Sequence, residues 1–172
     1  MSLVVLSIGS NVGDRAAHLR SVVDGLGAAV RAVSPVYETD AWGGVEQGPF
    51  LNAVLIADDP DLDCAGWLRR GQELERAADR VRETHWGPRT LDVDVVTCHD
   101  VGGEVRSDDP TLTLPHPHAH ERAFVLVPWL AADPAASLTV DGVATPVADV
   151  LAALDPAELA GVRPTDLTLS RR

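Results

Sequence analysis

The chain has 172 residues, 45% of them hydrophobic, and a formal net charge of −12. That length suits one domain with a sizeable core, and the composition excludes wholesale disorder. The acidic balance excludes a general nucleic-acid or anionic-membrane binder, which needs a basic footprint. The chain contains no Lys, and six of its 14 basic residues are Arg69, Arg70, Arg76, Arg80, Arg82 and Arg89. An acidic protein with such a local cluster fits a small anionic ligand. Cys64 and Cys98 match neither a disulfide framework nor a zinc site, so both are expected as buried thiols in a reducing compartment. No stretch approaches the roughly 18 apolar residues of a membrane span. The N-terminal apolar run is too short for a secretory signal, and a cytoplasmic protein is expected.

Residues 3–8, "LVVLSI", read as a buried strand ending at Gly9, Ser10 and Asn11. From Asp14, "DRAAHLRSVVDGLGAAV" has helical spacing at Ala17, Leu19, Val22, Val23 and Leu26, with Asp14 as its cap. A strand follows in "VRAVSPVYET", where Pro35 predicts an edge or a bulge. "DAWGGVEQGP" is a loop, and "FLNAVLIADD" a third strand. Pro60 to Asp63 open a second helix with Cys64, Trp67, Leu68, Leu74 and Ala78 as its core stripe, weakened locally by Gly71. "TLDVDVVTC" is the fourth strand, and "HDVGGEVRSDD" a turn with a short return strand. "LTLPHPHAHERAFVLVPWLAAD" combines a loop with a short helix, and Asp141-Gly142 turns a hairpin that leads into another. The residues after Asp155 have weak periodicity and are expected to be loosely attached. The order β-α-β-β-α-β is the ferredoxin-like, split βαβ arrangement: an α+β domain with two helices on one face of an antiparallel sheet, plus a C-terminal hairpin and helix. We expect one domain over 1–172, with a core to about 155 and a tail over 156–172.

Four constellations carry chemistry. Asp92 and Asp94 sit two apart on a strand and so share a face, their Cα atoms about 6.5–7 Å apart. Side by side, two like charges require a cation or a proton between them. Two carboxylates completed by phosphates and water suit Mg²⁺, whereas read alone the D-x-D pattern fits a solvent-facing strand edge equally well. Next, Arg80, Arg82 and Arg89 offer guanidinium forks that match phosphate oxygens, and "WGPR" holds Arg89 at the entrance to the acidic strand. Third, "PHPHAHER" places His116, His118 and His120 two apart but brings no further ligand motif, which favours His116 and Arg122 as phosphate partners over zinc. Last, Phe50 and Asn52 share a strand face, a flat surface beside an amide that suits a planar heterocycle, although on the residues alone Phe50 reads more readily as ordinary core. The Gly-containing segments match neither a P-loop nor a dinucleotide fingerprint.

The segments "LSIGSNVGD", "VYETDAWGGVEQGPFLNAV", "ELERAADRVRETHWGPRTLDVDVV" and "LPHPHAHERAFVLVPW", in that order, resemble the 6-hydroxymethyl-7,8-dihydropterin pyrophosphokinases of folate biosynthesis. The resemblance implies Mg²⁺-dependent transfer of the β,γ-pyrophosphoryl unit of ATP to the pterin hydroxymethyl group, with release of AMP. It implies that Asp92 and Asp94 hold two Mg²⁺ ions, Asp92 also facing the pterin hydroxyl, and that Arg80 and Arg89 join them in catalysis. Gln72, Glu75, Arg82, Arg89, Val95, Thr113, His116 and Arg122 would bind ATP. Thr39, Trp42, Phe50, Asn52, Asp92 and Phe124 would bind the pterin. Small-molecule substrates and a monomer are expected, with no nucleic-acid or membrane partner, and the loops over 40–48 and 80–90 are expected to close as lids. Asp79, Glu83 and Pro117 depart from residues found in relatives, and the loop before Trp86 is one residue shorter than in some. Two other classes fit the topology: a nucleotidyl-transfer enzyme, which would release pyrophosphate, and a non-catalytic ligand-binding module.

Overall fold

The computed structural model describes residues 1–41, 48–78 and 90–169. In chain order the elements are β1 (Ser2–Ser10), α1 (Arg15–Leu26), β2 (Val30–Val33), β3 (Tyr37–Thr39), β4 (Phe50–Asp59), α2 (Cys64–Ala78) and β5 (Asp92–Asp100). There follow β6 (Gly103–Glu104), β7 (Ser107–Asp109), β8 (Leu112–Leu114), α3 (Ala123–Ala132), β9 (Ser137–Val140), β10 (Val143–Pro146), α4 (Val147–Ala152), α5 (Pro156–Ala160) and β11 (Val162–Pro164). Among the described residues, seven strands form one antiparallel sheet in the order β11-β3-β4-β1-β5-β6, with β2 also on β4. The longest strands, β1, β4 and β5, are its centre.

Local chemistry sets the element ends. Asp14 caps α1 by accepting from the Ala17 N–H at 3.1 Å. Leu19, Val22 and Val23 are buried as the spacing predicts, but Ala16 rather than Ala17 packs on the core. Pro35 divides the predicted second strand into β2 and β3. Ser34 bridges the break by donating its N–H to the Val54 carbonyl and accepting the Val54 N–H on Oγ, both at 2.9 Å. Asp141 and Gly142 have φ of 50° and 79°, the left-handed pair that a two-residue hairpin turn requires. Gly71 does more than weaken α2: a Cβ there would lie 3.1 Å from Val93 Cγ1, so glycine lets the helix approach β5 closely.

The sheet is covered on both faces, and here the structure corrects the sequence reading. On one face, Val4, Leu6, Ile8, Leu55, Val93 and Val95 pack with Leu19, Val22 and Val23 of α1 and with Trp67 and Leu74 of α2. On the other, Val5, Val54 and Val96 pack with Val125, Leu126 and Trp129 of α3, Leu138 of β9, and Val147 and Val150 of α4. Helices thus lie on both faces, not one. The reason is the segment "AFVLVPWLAA", which is apolar around its whole circumference and must be buried on all sides. A register shift between Val5 and Leu6 in the β1–β5 pairing changes the phase of β5, so that Val95 and Cys98 reach the same core.

Two further expectations are corrected. Cys64 and Cys98 form a disulfide, with Cα atoms 6.0 Å apart, joining the first residue of α2 to β5. Sequence spacing gave no hint, because the pair is 34 residues apart and meets only once α2 packs on β5. Nor are the described residues after Asp155, over 156–169, loosely attached. β11 pairs with β3, the Leu167 carbonyl accepts the Val36 N–H, and Leu169 is buried in the core of the α1–α2 face. Backbone pairing along a sheet edge supplies what weak periodicity does not. A labelling experiment checks the bridge: iodoacetamide on the unfolded, unreduced protein should modify neither cysteine, and after reduction it should modify both.

Candidate active site

α3, β9 and α4 cover only part of their face of the sheet, leaving uncovered the end where β4 begins and β5 begins. There lies a cleft of about 190 Å³ lined by Ser7, Gly9, Thr39, Asp40, Phe50, Asn52, Asp92, Asp94, Arg122 and Phe124. Its floor is the sheet. Asp92 pairs with Gly9 and Asp94 with Ser7, while Gly9 on its other side pairs with Asn52. Alternation does the rest: Leu91, Val93 and Val95 enter the core, and the half-buried Asp92 and Asp94 face the cleft together.

Asn52 is buried, and its Oδ1 accepts from Thr39 Oγ1 at 3.3 Å. Its amide lies over Gly9, where a Cβ would come within 3.1 Å of Nδ2. Any larger residue at position 9 would displace the amide. Phe50 enters from the start of β4 and Phe124 from the first turn of α3, both half-buried. The Arg122 guanidinium carbon is 5.4 Å from the Phe124 ring centroid, within cation–π range, so the two side chains support one another. The cleft thus has carboxylates on β5, an amide and an aromatic ring on β4, and the Arg122–Phe124 pair at the start of α3.

His116 lies just outside this cleft. Its N–H donates to the Val96 carbonyl at 2.9 Å, and it lines a neighbouring groove of about 250 Å³ with Arg106, His120 and the β9–β10 hairpin. Burial lowers its pKa below the usual histidine value. Asp94 opposes that shift, while Arg122 and His118 add to it, so the imidazole feels Asp94 and Arg122 of the cleft. The structure does not gather every residue singled out above. Val95 points into the core on the opposite face. The Thr113 hydroxyl, on β8, donates to the Asp109 carbonyl. Gln72 and Glu75 lie on α2 and do not line this cleft. Trp42, Arg80, Arg82 and Arg89 lie outside the described residues, as do Asp79, Glu83 and Trp86 and most of both expected lid loops.

Ser7, Gly9 and Asp40 line the cleft but were absent from the sequence-based set. For Gly9 a signal existed: a glycine against an apolar strand marks close backbone approach as readily as a strand end. Ser7 could have been found only from the β1–β5 register.

Two carboxylates on one wall of an open cleft suit a hard divalent cation. Among the described residues no group of three or more His, Cys, Asp or Glu is arranged to hold a metal. A cation held by this pair would therefore fill its remaining positions from a ligand's oxygens and water, as Mg²⁺ commonly does. No helix among the described residues is long and apolar enough to cross a membrane.

Comparison with known proteins places the geometry in a family. The family model for 7,8-dihydro-6-hydroxymethylpterin-pyrophosphokinase (HPPK) matches residues 5–134. A 2-amino-4-hydroxy-6-hydroxymethyldihydropteridine pyrophosphokinase of Mycobacterium bovis is 60% identical over 168 residues, covering 95% of this chain and 89% of its own. One from Methylorubrum extorquens is 42% identical, covering 91% of this chain and 96% of its own. Wild-type Plasmodium falciparum HPPK-DHPS has a similar fold, with a TM-score of 0.62 at 11% identity over 88% of this chain. This chain spans 44% of that longer one. With a family model spanning most of its length and relatives of this similarity, the chain belongs to the 7,8-dihydro-6-hydroxymethylpterin-pyrophosphokinase family.

Proposed function

We propose that this chain is an ATP-dependent diphosphokinase of folate biosynthesis. It transfers the β,γ-pyrophosphoryl unit of ATP to the hydroxymethyl group of 6-hydroxymethyl-7,8-dihydropterin and releases AMP. The observation that carries this reading is the cleft, with a carboxylate pair and Arg122 beside an aromatic and amide surface. A planar, hydrogen-bonding ring fits between Phe50 and Phe124 with its edge on Asn52 and on the main chain near Thr39. That pose carries the ring's substituent toward Asp92.

Chemically, the pterin hydroxyl oxygen bonds to the β-phosphorus as the bond from that phosphorus to the α,β-bridging oxygen breaks. The bridging oxygen leaves with AMP, and the hydroxyl loses its proton. Such transfer depends on in-line positioning and charge stabilisation more than on covalent catalysis. Asp92 and Asp94 would hold Mg²⁺; when bound, the metal neutralises phosphate charge and orients the oxygens in line. Asp92 faces the attacking hydroxyl. Arg122 and His116, with Arg80, Arg82 and Arg89 from the stretch of sequence before β5, take up phosphate charge, and Arg80 and Arg89 act on the transferred group itself. Gln72, Glu75, Val95 and Thr113 would contact the nucleotide, Val95 through its main chain because its side chain is in the core. Trp42 would contribute its main chain to the pterin pocket.

The finer architecture belongs to the same reading. We take the β1-α1-β2/β3-β4-α2-β5 core as ferredoxin-like, which the order β3-β4-β1-β5 and the two helices across one face support. We take the protein as a monomer, and as cytoplasmic because its co-substrate is drawn from the cellular ATP pool.

Three measurements test the proposal. With ATP, Mg²⁺ and 6-hydroxymethyl-7,8-dihydropterin, the nucleotide product should be AMP; ADP, or no turnover from folded protein, would overturn it. Asp94→Ala should lower kcat by about a thousandfold or more with little change in melting temperature, as expected for a residue that places the metal clamp. Asn52→Ala should raise KM for the pterin about 10- to 100-fold and leave KM for ATP unchanged, since it removes a hydrogen-bonded reader of the ring edge.

A further inference from the structure

The family match ends at residue 134, yet residues beyond it stand against the cleft. α5 and β11 close a second, smaller cavity of about 130 Å³ lined by Thr39, Asp40, Ala41, Phe124, Ala157, Glu158, Gly161 and Val162. It lies directly behind the cleft, because Thr39, Asp40 and Phe124 line both. The C-terminal segment therefore touches the two walls that hold the pterin side.

Its contact with each wall is specific. On the β3 side, Val162 pairs with Thr39, the Asp40 N–H donates to the Gly161 carbonyl at 3.0 Å, and Arg163 Nη1 donates to Asp40 Oδ1 at 3.0 Å. On the α3 side, the helix starts at Ala123 with Arg122 as its cap residue, and the Arg122 side chain makes no capping bond. The first helical N–H, that of Ala123, instead donates to Glu158 Oε1 at 3.1 Å, across 35 positions of sequence. A carboxylate at a helix N-terminus satisfies a backbone donor that has no partner within its own helix and opposes the positive end of the dipole. Here the capped turn is the one that carries Arg122 and Phe124 into the cleft.

We propose that Glu158 is a positioning residue for the pterin half of the site: by capping α3 at Ala123 from the C-terminal segment, it fixes Phe124 against the bound ring. It touches no substrate and acts through the helix end. The role rests on reading this cleft as the pterin site.

Glu158→Ala, Glu158→Gln and Glu158→Asp test it. Each is assayed for KM of both substrates and for direct pterin binding by fluorescence in the presence of a non-hydrolysable ATP analogue. Glu158→Ala should weaken pterin binding and raise its KM about tenfold, the scale of a lost helix cap, with a clearly smaller rise in KM for ATP, because Arg122 is only one of several phosphate partners. Glu158→Gln keeps an acceptor oxygen and should restore pterin affinity. Glu158→Asp is one methylene short of the Ala123 N–H and should behave as the alanine variant, which keeps the test open if Glu158→Ala does not fold. Wild-type pterin affinity in the alanine or aspartate variant would overturn the role, as would equal loss for both substrates or failure of glutamine to rescue. Failure of the wild-type protein to bind 6-hydroxymethyl-7,8-dihydropterin would instead overturn the reading of the cleft.

Discussion

Two carboxylates side by side on one face of a strand, with apolar side chains on its other face, form the constraint that the rest of this structure serves. Asp92 and Asp94 cannot move into the core, which Val93 and Val95 of the same strand fill together with Leu91 just before it. Nor can the pair be covered by apolar side chains, since taking two adjacent carboxylates out of water costs more than the packing would return. The residues opposite them on β1 are accordingly small, Ser7 and Gly9, and the helical layer stops short of them. An open cleft is the consequence. Its shape follows from charge as much as from packing.

α3 has two tasks at once. Its middle seals the covered part of the second face with Val125, Leu126 and Trp129, and its first turn delivers Arg122 and Phe124 to the uncovered part. An element apolar all round has one place to go, a slot between sheet, α4 and chain terminus, and that slot fixes where its N-terminus projects. The support is reciprocal, because the segment that caps this turn also pairs with β3, the strand beside Asn52. Elements separated by more than a hundred residues therefore hold the two sides of one cleft. Opposite, the Cys64–Cys98 bridge ties α2 to β5, the strand that bears the carboxylates. With Cys98 fully buried and Cys64 nearly so, the bridge is shielded from exchange with external thiols.

Much of this was legible in the sequence because it depends on local rules. Strand periodicity placed Asp92 and Asp94 on one face and Phe50 and Asn52 on another, and the structure brings both pairs into the same cleft. The Asp14 cap and the Asp141-Gly142 turn follow from the conformational preferences of single residues. Other features were not legible, and each depends on partners distant in sequence. The second helical layer needs the knowledge of which sheet face lies open. Cys64 and Cys98 meet only through the packing of α2 on β5, and β11 lacks a periodic pattern because edge pairing uses backbone groups that every residue has.

The order of elements, the shared face of the two carboxylates and the motifs that carry the family resemblance are all set by the chain's own residue pattern. Those are consequences of alternation, chirality and residue chemistry along neighbouring positions. Tertiary structure alone decided that Gly9 makes room for the Asn52 amide, that helices cover both faces of the sheet, and that Glu158 meets the first N–H of α3. Each of those is a contact between residues far apart in the chain. No local pattern encodes such a meeting, because it depends on the register and packing of elements that must already be in place.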